Sequence, residues 1–293
     1  MMNSTRFTNP VLFPVKALLL AISVYFSLFS SAKASTLIRV PNNLGLVGYW
    51  SFEDATSTLA TDVSGSGNAG ALINGPLWVK GRFGRGLSFD GLNDYAVAST
   101  TGFVTGTSAR TITGWVYPTT SAALRVPFAY GLCGSGNDGK AFGVYISTSD
   151  VLNFWGCGSA DFSTGVSIAE NVWSHIAVSY DGTSVRVYVN GSQAGSTTAR
   201  TLGSSVANMQ MGGASLLDSG NYYFPGTVDD LRVYNRLLSS TEIAALYSTT
   251  SRIAKIKGGL ERGLITHWSL DDATSTVATD SSGSGNSGTL TSG

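Results

Sequence analysis

Charged residues are scarce in this 293-residue sequence, and their signs balance. They make up only 12% of the chain, with 18 basic and 18 acidic side chains. Nucleic-acid-binding domains carry an excess of Lys and Arg on one face, so this balance argues against a nucleic-acid partner. The hydrophobic content of 43% is sufficient for a substantial core, so we expect a folded protein and not a disordered one.

Groups that commonly perform acid–base catalysis are also rare. The chain has two histidines, and we expect His175, which lies in a strand motif, to be held by hydrogen bonds at a sheet edge. Adjacent acids such as Asp229–Asp230 diverge on a strand, whereas glycosidases need two carboxylates that face one bond. Phosphate-loop, dinucleotide and metal-hydrolase motifs are missing as well. These absences predict that the chain is not an enzyme.

The apolar run near the start is short for a membrane span. It covers residues 17–31, fewer than the roughly 20 residues that a bilayer-crossing helix needs. Arg6 and Lys16 precede it and the small-x-small tripeptide 32–34 follows it, a pattern typical of a secretory signal peptide. We therefore expect cleavage of residues 1–34 and a secreted or cell-surface protein without a membrane span. A retained membrane anchor is the alternative.

Cysteine occurs only twice, as Cys133 and Cys157. In an exported chain the oxidising compartment favours a disulfide between them. Neither cysteine has a histidine neighbour or an obvious base beside it, which argues against a zinc site and against an activated nucleophile. Two unlinked, buried cysteines remain the alternative to the disulfide.

Short apolar stretches alternate with turn residues from Leu46 to Tyr234. This alternation is typical of strands in an antiparallel sandwich. Asp181–Gly182 and Asn190–Gly191 are expected to reverse the chain between strands, because both pairs tolerate the positive φ of tight hairpins. The clearest strands are predicted at 46–52, 86–91, 110–117, 142–146, 173–180, 185–189 and 227–234.

One helix is predicted after the last of these strands. Ser239 stands three residues before Glu242, the spacing of a reciprocal capping box. Ile243, Leu246 and Tyr247 then fall on one face of the helix. The sequence therefore predicts an all-β fold with one short C-terminal helix.

Six ordered motifs carry a family resemblance. They are GLVGYWSFED, TDVSGSGNAG, GRFGRGLSFDGLNDYAV, TITGWVYP, NVWSHIAVSYDGTSVRVYVNG and YYFPGTVDDLRVYNRLLSSTEIAALY. Together they resemble the concanavalin A-like lectin/glucanase superfamily, specifically the bacterial laminin-G-like (LamG) modules, over residues 44–247. The resemblance implies a jelly-roll sandwich of two antiparallel sheets, usually one module of a longer secreted protein, often with calcium and with glycan or protein ligands. A fold does not by itself fix the ligand.

The start of this module recurs at the end of the sequence. Residues 45–75 align with 263–293 and are identical at 20 of 31 positions. We interpret 263–293 as the truncated start of a second LamG-like repeat, joined to the first by a linker at 248–262. Further modules of the same chain are therefore expected, an arrangement that suits multivalent binding.

The loop repeated in this way has oxygen-bearing side chains at alternate positions. Intervening glycines would let backbone carbonyls converge as well, as a hard cation such as calcium requires. The side chains are those of Asp62, Ser64, Ser66 and Asn68. The twelfth position of the loop lacks the bidentate Glu of an EF-hand, so a further carboxylate must come from elsewhere.

The last strand offers two carboxylates for such a site. Alternation places Asp229 on the core side with Leu231 and Val233, where a carboxylate is costly without a cation or several donors; Asp230 falls on the other side. We predict a structural calcium ion with ligands from both segments: Asp62, Ser64, Asn68, Asp229 and Asp230. In the alternative, Asp62 and Asn68 hydrogen-bond their own turn and Asp229 caps backbone amides.

Aromatic residues near Cys157 and before the last strand are candidates for ligand contact. Sugar rings stack on aromatic faces while amides bind hydroxyls, although core packing explains aromatic residues in strands equally well. The candidates are Trp155, Phe162, Asn221, Tyr222 and Tyr223. We predict a non-catalytic module that binds a glycan or an extracellular protein. The alternatives are a structural spacer in an adhesin-like or stalk protein, and an accessory module of an enzyme whose catalytic domain lies beyond residue 293.

Overall fold

A computed structural model describes residues 43–55, 57–120, 123–205, 207–214 and 222–248, together with two short strands nearer the C-terminus. The predicted signal peptide, and the linker and second repeat apart from Ser248 and those two strands, lie outside the described residues. Within the described part, two antiparallel eight-stranded sheets and one helix of nine residues confirm the predicted all-β jelly-roll sandwich. No helix in that part is long and apolar enough to cross a bilayer.

The strands are numbered in chain order. They are β1 (Leu46–Trp50), β2 (Leu59–Ala60), β3 (Gly70–Ile73), β4 (Leu77–Lys80), β5 (Arg85–Asp90), β6 (Tyr95–Ala98), β7 (Arg110–Pro118), β8 (Arg125–Gly131), β9 (Ala141–Ile146), β10 (Val151–Trp155), β11 (Phe162–Ser167), β12 (Ser174–Tyr180), β13 (Ser184–Val189), β14 (Ser192–Ala199), β15 (Met209–Met211), β16 (Pro225–Tyr234), β17 (Val277–Ala278) and β18 (Gly288–Thr289). The helix α1 covers Ser240–Ser248.

Each sheet mixes strands from distant parts of the sequence. The first sheet has the order β14-β13-β12-β7-β16-β5-β4, and β1 pairs with β16 as well. The second sheet has the order β11-β10-β9-β8-β15-β6-β3-β2, while β17 pairs with β18 separately. All seven predicted strands are confirmed within a few residues. The turn between β13 and β14 has φ of 51° at Asn190 and 80° at Gly191, as a tight hairpin requires.

The main core lies between the two sheets. Alternate residues of the strands point into it, so β12 contributes Ile176 and Val178 while β10 contributes Leu152 and Phe154. Trp50 is fully buried there. Each large apolar side chain buried in this way contributes about 1.5–3 kcal/mol relative to exposure.

The outer face of the first sheet is covered by α1. Ile243 and Leu246 are buried against residues of the sheet, and Tyr247 stacks on Trp115 with ring centroids 5.7 Å apart. The predicted capping box is present, because Ser239 Oγ accepts the Glu242 N–H and Glu242 Oε2 accepts the Ser239 N–H. This cap fixes where the helix begins and hence which face it turns to the sheet.

The expected position of His175 at a sheet edge is wrong. Its strand, β12, lies between β13 and β7, and the residue is only 2% exposed. Its Nε2 lies 2.7 Å from Thr113 Oγ1 on the neighbouring strand. The covering helix explains the burial, since it converts the outer face of a central strand into a second, smaller core.

The expected side of Asp229 is also wrong, because β16 contains a bulge. Asp229 pairs with Trp115 and Arg232 pairs with Thr113, so β16 has one residue more than β7 over this interval. Asp230 has a positive φ of 53° at this irregularity. Leu231 therefore points into the core, whereas Asp229 points to the opposite face.

Candidate functional site

The loop that contains Asp62 satisfies its own carboxylate. Asp62 Oδ1 accepts the N–H groups of Tyr49 and Ser64, each at 2.9 Å. Its Oδ2 accepts the N–H of Asn68 at 2.9 Å. Ser64 Oγ in turn accepts the N–H of Ser66 at 3.2 Å. These bonds hold the loop against the first strand, so the Asp62 side chain organises backbone amides.

Asn68 is fully buried, and its side-chain amide is saturated. Its Nδ2 donates to the carbonyls of Val47 at 2.8 Å and Thr101 at 3.0 Å. Its Oδ1 accepts the Ser99 hydroxyl and the Thr101 N–H, both at 2.8 Å. An amide offers two donors and one oxygen with two lone pairs. Asn68 therefore has no remaining capacity for a metal ion.

The two acids of β16 have separate partners. Asp229 Oδ2 accepts the Phe83 N–H at 2.8 Å. Asp230 Oδ1 accepts a bond from Arg232 Nη2 at 3.0 Å, in a buried ion pair.

The described residues consequently do not fit the predicted five-residue calcium site. Among them, no three His, Cys, Asp or Glu side chains are grouped so that they could hold a metal ion. The hydrogen bonds of Asp62 and Asn68 favour the alternative, in which the polar loop binds its own amides. Calcium binding stays a prediction of the sequence.

A disulfide joins Cys133 to Cys157, as predicted. Cys133 lies in the turn after β8 and Cys157 in the turn after β10, and both strands are neighbours of β9. The bond therefore crosses the N-terminal end of β9. It holds the turn at 156–161 beside the start of the loop that follows β8.

A cavity of about 150 Å³ opens beside this disulfide on the outer face of the second sheet. Trp155 of β10 and Tyr145 of β9 share this face, because Asn153 pairs with Tyr145 and side chains two residues apart lie on the same side. Trp155 is 5% exposed, and its ring meets that of Tyr222 edge-on at 6.2 Å. The cavity is lined by Leu124, Cys133, Tyr145, Trp155, Gly158, Asp161 and Tyr222.

The turn after β10 places Asp161 in the lining of this cavity. Cys157 and Gly158 both have positive φ, 76° and 60°, and a short 3₁₀ turn follows over Gly158–Ala160. Asp161 Oδ1 accepts the N–H groups of Gly156 and Cys157, each at 2.8 Å. No described residue donates to Asp161 Oδ2. One carboxylate oxygen thus anchors the turn, and the other is available to a bound molecule.

The surroundings of Asp161 make its carboxylate harder to ionise. Burial raises the pKa of Asp161 to about 6; the two backbone amides and Arg200 lower the pKa, while the Asp138 carboxylate raises it further. Burial and the charge of Asp161 also raise the pKa of Tyr145. The side chain is half-buried, so it retains contact with solvent.

The cavity includes some of the predicted ligand residues and excludes others. Trp155 and Tyr222 line it, whereas Phe162 packs on the core side, with its ring 5.3 Å from that of Phe154. Tyr223 stacks on Tyr95 at 6.4 Å outside the lining, and Asn221 lies outside the described residues.

Sequence reasoning missed Asp161, Tyr145 and Leu124 as parts of the site. The available signal was the GCGSAD segment, in which a Cys-Gly pair turns the chain two residues after a Trp and an Asp follows four residues after the Cys. The positive φ of both turn residues is what brings that carboxylate back to the Trp155 face.

Comparison with known proteins identifies the architecture that supports this cavity. A laminin G-type family model, described as the concanavalin A-like lectin/glucanases superfamily, matches residues 89–244, more than half of the chain. The chain belongs to this superfamily. The cavity lies within the matched part of the lectin-like sandwich. None of the curated proteins matches the chain.

Solved structures of the same sandwich type are similar to the chain at low identity. Domain 4 of AbnA, an extracellular GH43 arabinanase from Geobacillus stearothermophilus, has a TM-score of 0.55 at 18% identity, covering 69% of this chain and 98% of its own. Trypanosoma rangeli sialidase has a TM-score of 0.54 at 25% identity, covering 69% of this chain and 32% of its own. The binding domain of Paraclostridial Mosquitocidal Protein 1 has a TM-score of 0.55 at 16% identity, covering 70% and 52%.

Proposed function

We propose that the chain is a lectin-like recognition module that binds a carbohydrate in the cavity beside Trp155 and does not cleave it. The observation that carries this proposal is the combination of aromatic walls with one available carboxylate oxygen. Trp155, Tyr145 and Tyr222 form the walls, and Asp161 Oδ2 is the acceptor. A binding site of this kind joins an apolar surface to a few placed polar groups.

The chemistry of the cavity suits a sugar ring. The apolar faces of pyranose and furanose rings stack on aromatic side chains, while their hydroxyl groups donate to carboxylate oxygens. A cavity of about 150 Å³ in another protein accommodates benzene, so the open cavity here has room for part of a sugar ring, whose hydroxyl groups would extend towards the opening. We expect it to take one residue of a glycan, with the remainder of the glycan outside.

The similar structures support the same ligand class. The arabinanase domain was solved in complex with arabinotriose, and the sialidase was solved in complex with sialic acid. Their low identity to this chain transfers the fold alone, so the contacts of the cavity itself carry the argument.

A binding role is favoured over hydrolysis by the number of acids at the site. Among the described residues that line the cavity, Asp161 is the one acidic side chain. Glycosidases generally place two carboxylates on either side of the scissile bond, about 5–9.5 Å apart.

We also propose export and a multi-module context, which the disulfide and the repeated terminal segment support.

A glycan array with the purified full chain tests the binding proposal. Tyr222→Ala should weaken binding of the captured glycan about tenfold, because it removes one aromatic wall. Tyr223→Ala is the matched control, since this adjacent, equally half-buried tyrosine lies outside the lining. Equal loss in both variants, or release of shortened glycans, would contradict the proposal.

A further inference from the structure

The charged side chains at the cavity wall are acidic. The one charged side chain among its described lining residues is Asp161. A further acid close to it is Asp138, whose Oδ2 accepts the Ser159 hydroxyl at 3.1 Å. An ideal Cβ built on Gly158 would lie 2.2 Å from Asp138 Oδ1, so this second carboxylate adjoins the wall of the cavity. Both acids therefore contribute negative potential to the same turn.

The neighbouring cationic side chains, Arg200 and Lys140, bind other protein groups and do not line the cavity. Arg200 Nε donates to the Ala160 carbonyl at 2.9 Å, and its Nη2 donates to the backbone carbonyl of Asp161 at 3.3 Å. Its guanidinium also lies over the ring of Phe162, on the core side. Lys140 Nζ donates to the Gly136 carbonyl and to an amide oxygen, both at 3.1 Å. No cationic side chain among the described residues lines the cavity to neutralise an anionic ligand.

The position of Asp161, as well as its charge, determines which charged groups of a ligand can bind beside it. Two backbone amides fix its Oδ1, so the carboxylate cannot turn away from a bound molecule without losing both bonds. The half-burial of Asp161 removes part of its contact with water, and charge interactions strengthen where less water is present. A ligand carboxylate beside Asp161 Oδ2 would meet a like charge, whereas a hydroxyl or ammonium group would donate to it.

We infer that the cavity selects sugars by charge, taking rings that are neutral or carry an amine and excluding rings that carry a carboxylate. This inference rests on the proposed carbohydrate-binding function and names the ligand class for the same cavity. The selection follows from Asp161 as the one charged lining group. It distinguishes this site from one built to bind acidic sugars, which would present Arg or Lys at the same place.

The selection should depend on pH in a defined direction. Because the pKa of Asp161 is raised to about 6, its carboxylate is mostly ionised at pH 7.5 and mostly protonated at pH 5.0. An amine-bearing sugar loses its counter-charge as the pH falls through this range, and an acidic sugar loses its repulsion. Asp138, Arg200 and Tyr145 are the other charged or titratable groups that interact with Asp161. Tyr145, whose pKa is raised, stays neutral over this interval.

Matched monosaccharides test the inference with the full chain. Glucose, glucosamine and glucuronic acid share one ring, as do galactose, galactosamine and galacturonic acid, and binding is followed by ligand-observed NMR at pH 7.5 and 5.0. At pH 7.5 we expect the acid of the bound series to bind at least about fivefold more weakly than the neutral sugar, which corresponds to one partly exposed charge pair. The difference should shrink at pH 5.0.

Two variants separate the possible outcomes. Asp161→Asn should equalise the neutral and acidic sugars at pH 7.5, while Asp138→Asn should keep the discrimination and lower its pH midpoint. Acidic sugars that bind as well as neutral ones at pH 7.5, in a manner that Tyr222→Ala weakens, would overturn the charge selection and leave the proposed function intact. Absence of binding by every sugar in these series and on the array would overturn both.

Discussion

The loop at 62–68 and the turn at 156–161 both use an aspartate to bind backbone N–H groups, but they leave different amounts of hydrogen-bonding capacity. Asp62 uses both carboxylate oxygens on three amides, and the adjoining Asn68 is saturated. Asp161 uses one oxygen on two amides, accepts no bond from a described residue on the other, and lines a cavity. A segment rich in Asp, Asn and Gly is therefore not a binding site by composition alone, because what matters is which acceptors its own backbone leaves unused.

The largest expected effect is at the saturated loop. Asn68→Ala removes four side-chain hydrogen bonds, and it leaves the buried carbonyl of Val47 and the polar groups of Ser99 and Thr101 without these partners. We expect the free energy of unfolding to fall by about 4 kcal/mol, measured by urea denaturation. Ser66→Ala, in the same loop, should change it by less than about 0.5 kcal/mol. A loss below about 1 kcal/mol for Asn68→Ala would show that the loop is less rigid than its hydrogen bonds indicate.

The disulfide should have the next largest effect, and it acts on the turn at 156–161 and not on the loop at 62–68. Replacing Cys133 and Cys157 together by Ser opens a loop of 24 residues, at a cost of about 3 kcal/mol in the chain-entropy model. Sugar binding should weaken as well, since the turn that carries Asp161 loses its anchor. Wild-type protein treated with reductant is the control and should match the double variant. Unaltered stability in both would contradict this role.

Asp161 should produce a smaller effect that depends on pH. Its pKa is raised to about 6 in the folded chain, above the unfolded value near 3.9, so the folded state holds this proton more tightly. The stability from this group is present below about pH 4 and is lost as the pH rises through about 6. Asp161→Asn should remove about 1 kcal/mol of that dependence, allowing for solvent screening of a partly exposed group. Parallel stability curves for wild type and variant between pH 4 and 7 would count against it.

The smallest effect is expected from chelation. If calcium were held by Asp62, Asn68 and Asp229, removal of calcium by EDTA would lower the melting temperature, because an ion bound to the folded state alone stabilises it. The hydrogen bonds of the loop lead us to expect a change below about 1 °C, since the fold does not require the ion. Scanning calorimetry with EDTA, and with added calcium as the control, measures the difference. A fall of several degrees that calcium reverses would restore the calcium site predicted from the sequence.

The strands and the capped helix could be predicted because their signals are local. Period-two apolar patterns mark strands such as β12, and the Ser239–Glu242 spacing marks the start of α1. The polar strand β14 carries no such pattern, since most of its residues are exposed. The alternation of residues along β16 placed Asp229 on the wrong face of the sheet. A single extra residue at Asp230 reverses the two faces beyond it, and the local sequence has no signal that predicts this bulge.

The site could be predicted only in part, for a related reason. Trp155 and the disulfide were recognisable from residue type and compartment. Asp161 acquires its role from a turn with two positive φ values and from Tyr145 on another strand, and both are properties of the assembled sheet. Burial in that assembly, which raises the pKa of Asp161 to about 6, is not encoded by the residues beside it in the chain.

The disulfide across the N-terminal end of β9 also has a mechanical consequence. When the two ends of the chain are pulled apart, the tension passes through the bond between Cys133 and Cys157, and the segment between them, residues 134–156, carries no load. At about 3.5 Å per extended residue, this segment withholds about 80 Å of contour length from extension. Both Tyr145 and Trp155 lie inside it. Two walls of the cavity thus belong to a part of the chain that a stretching force reaches only after the bond is reduced.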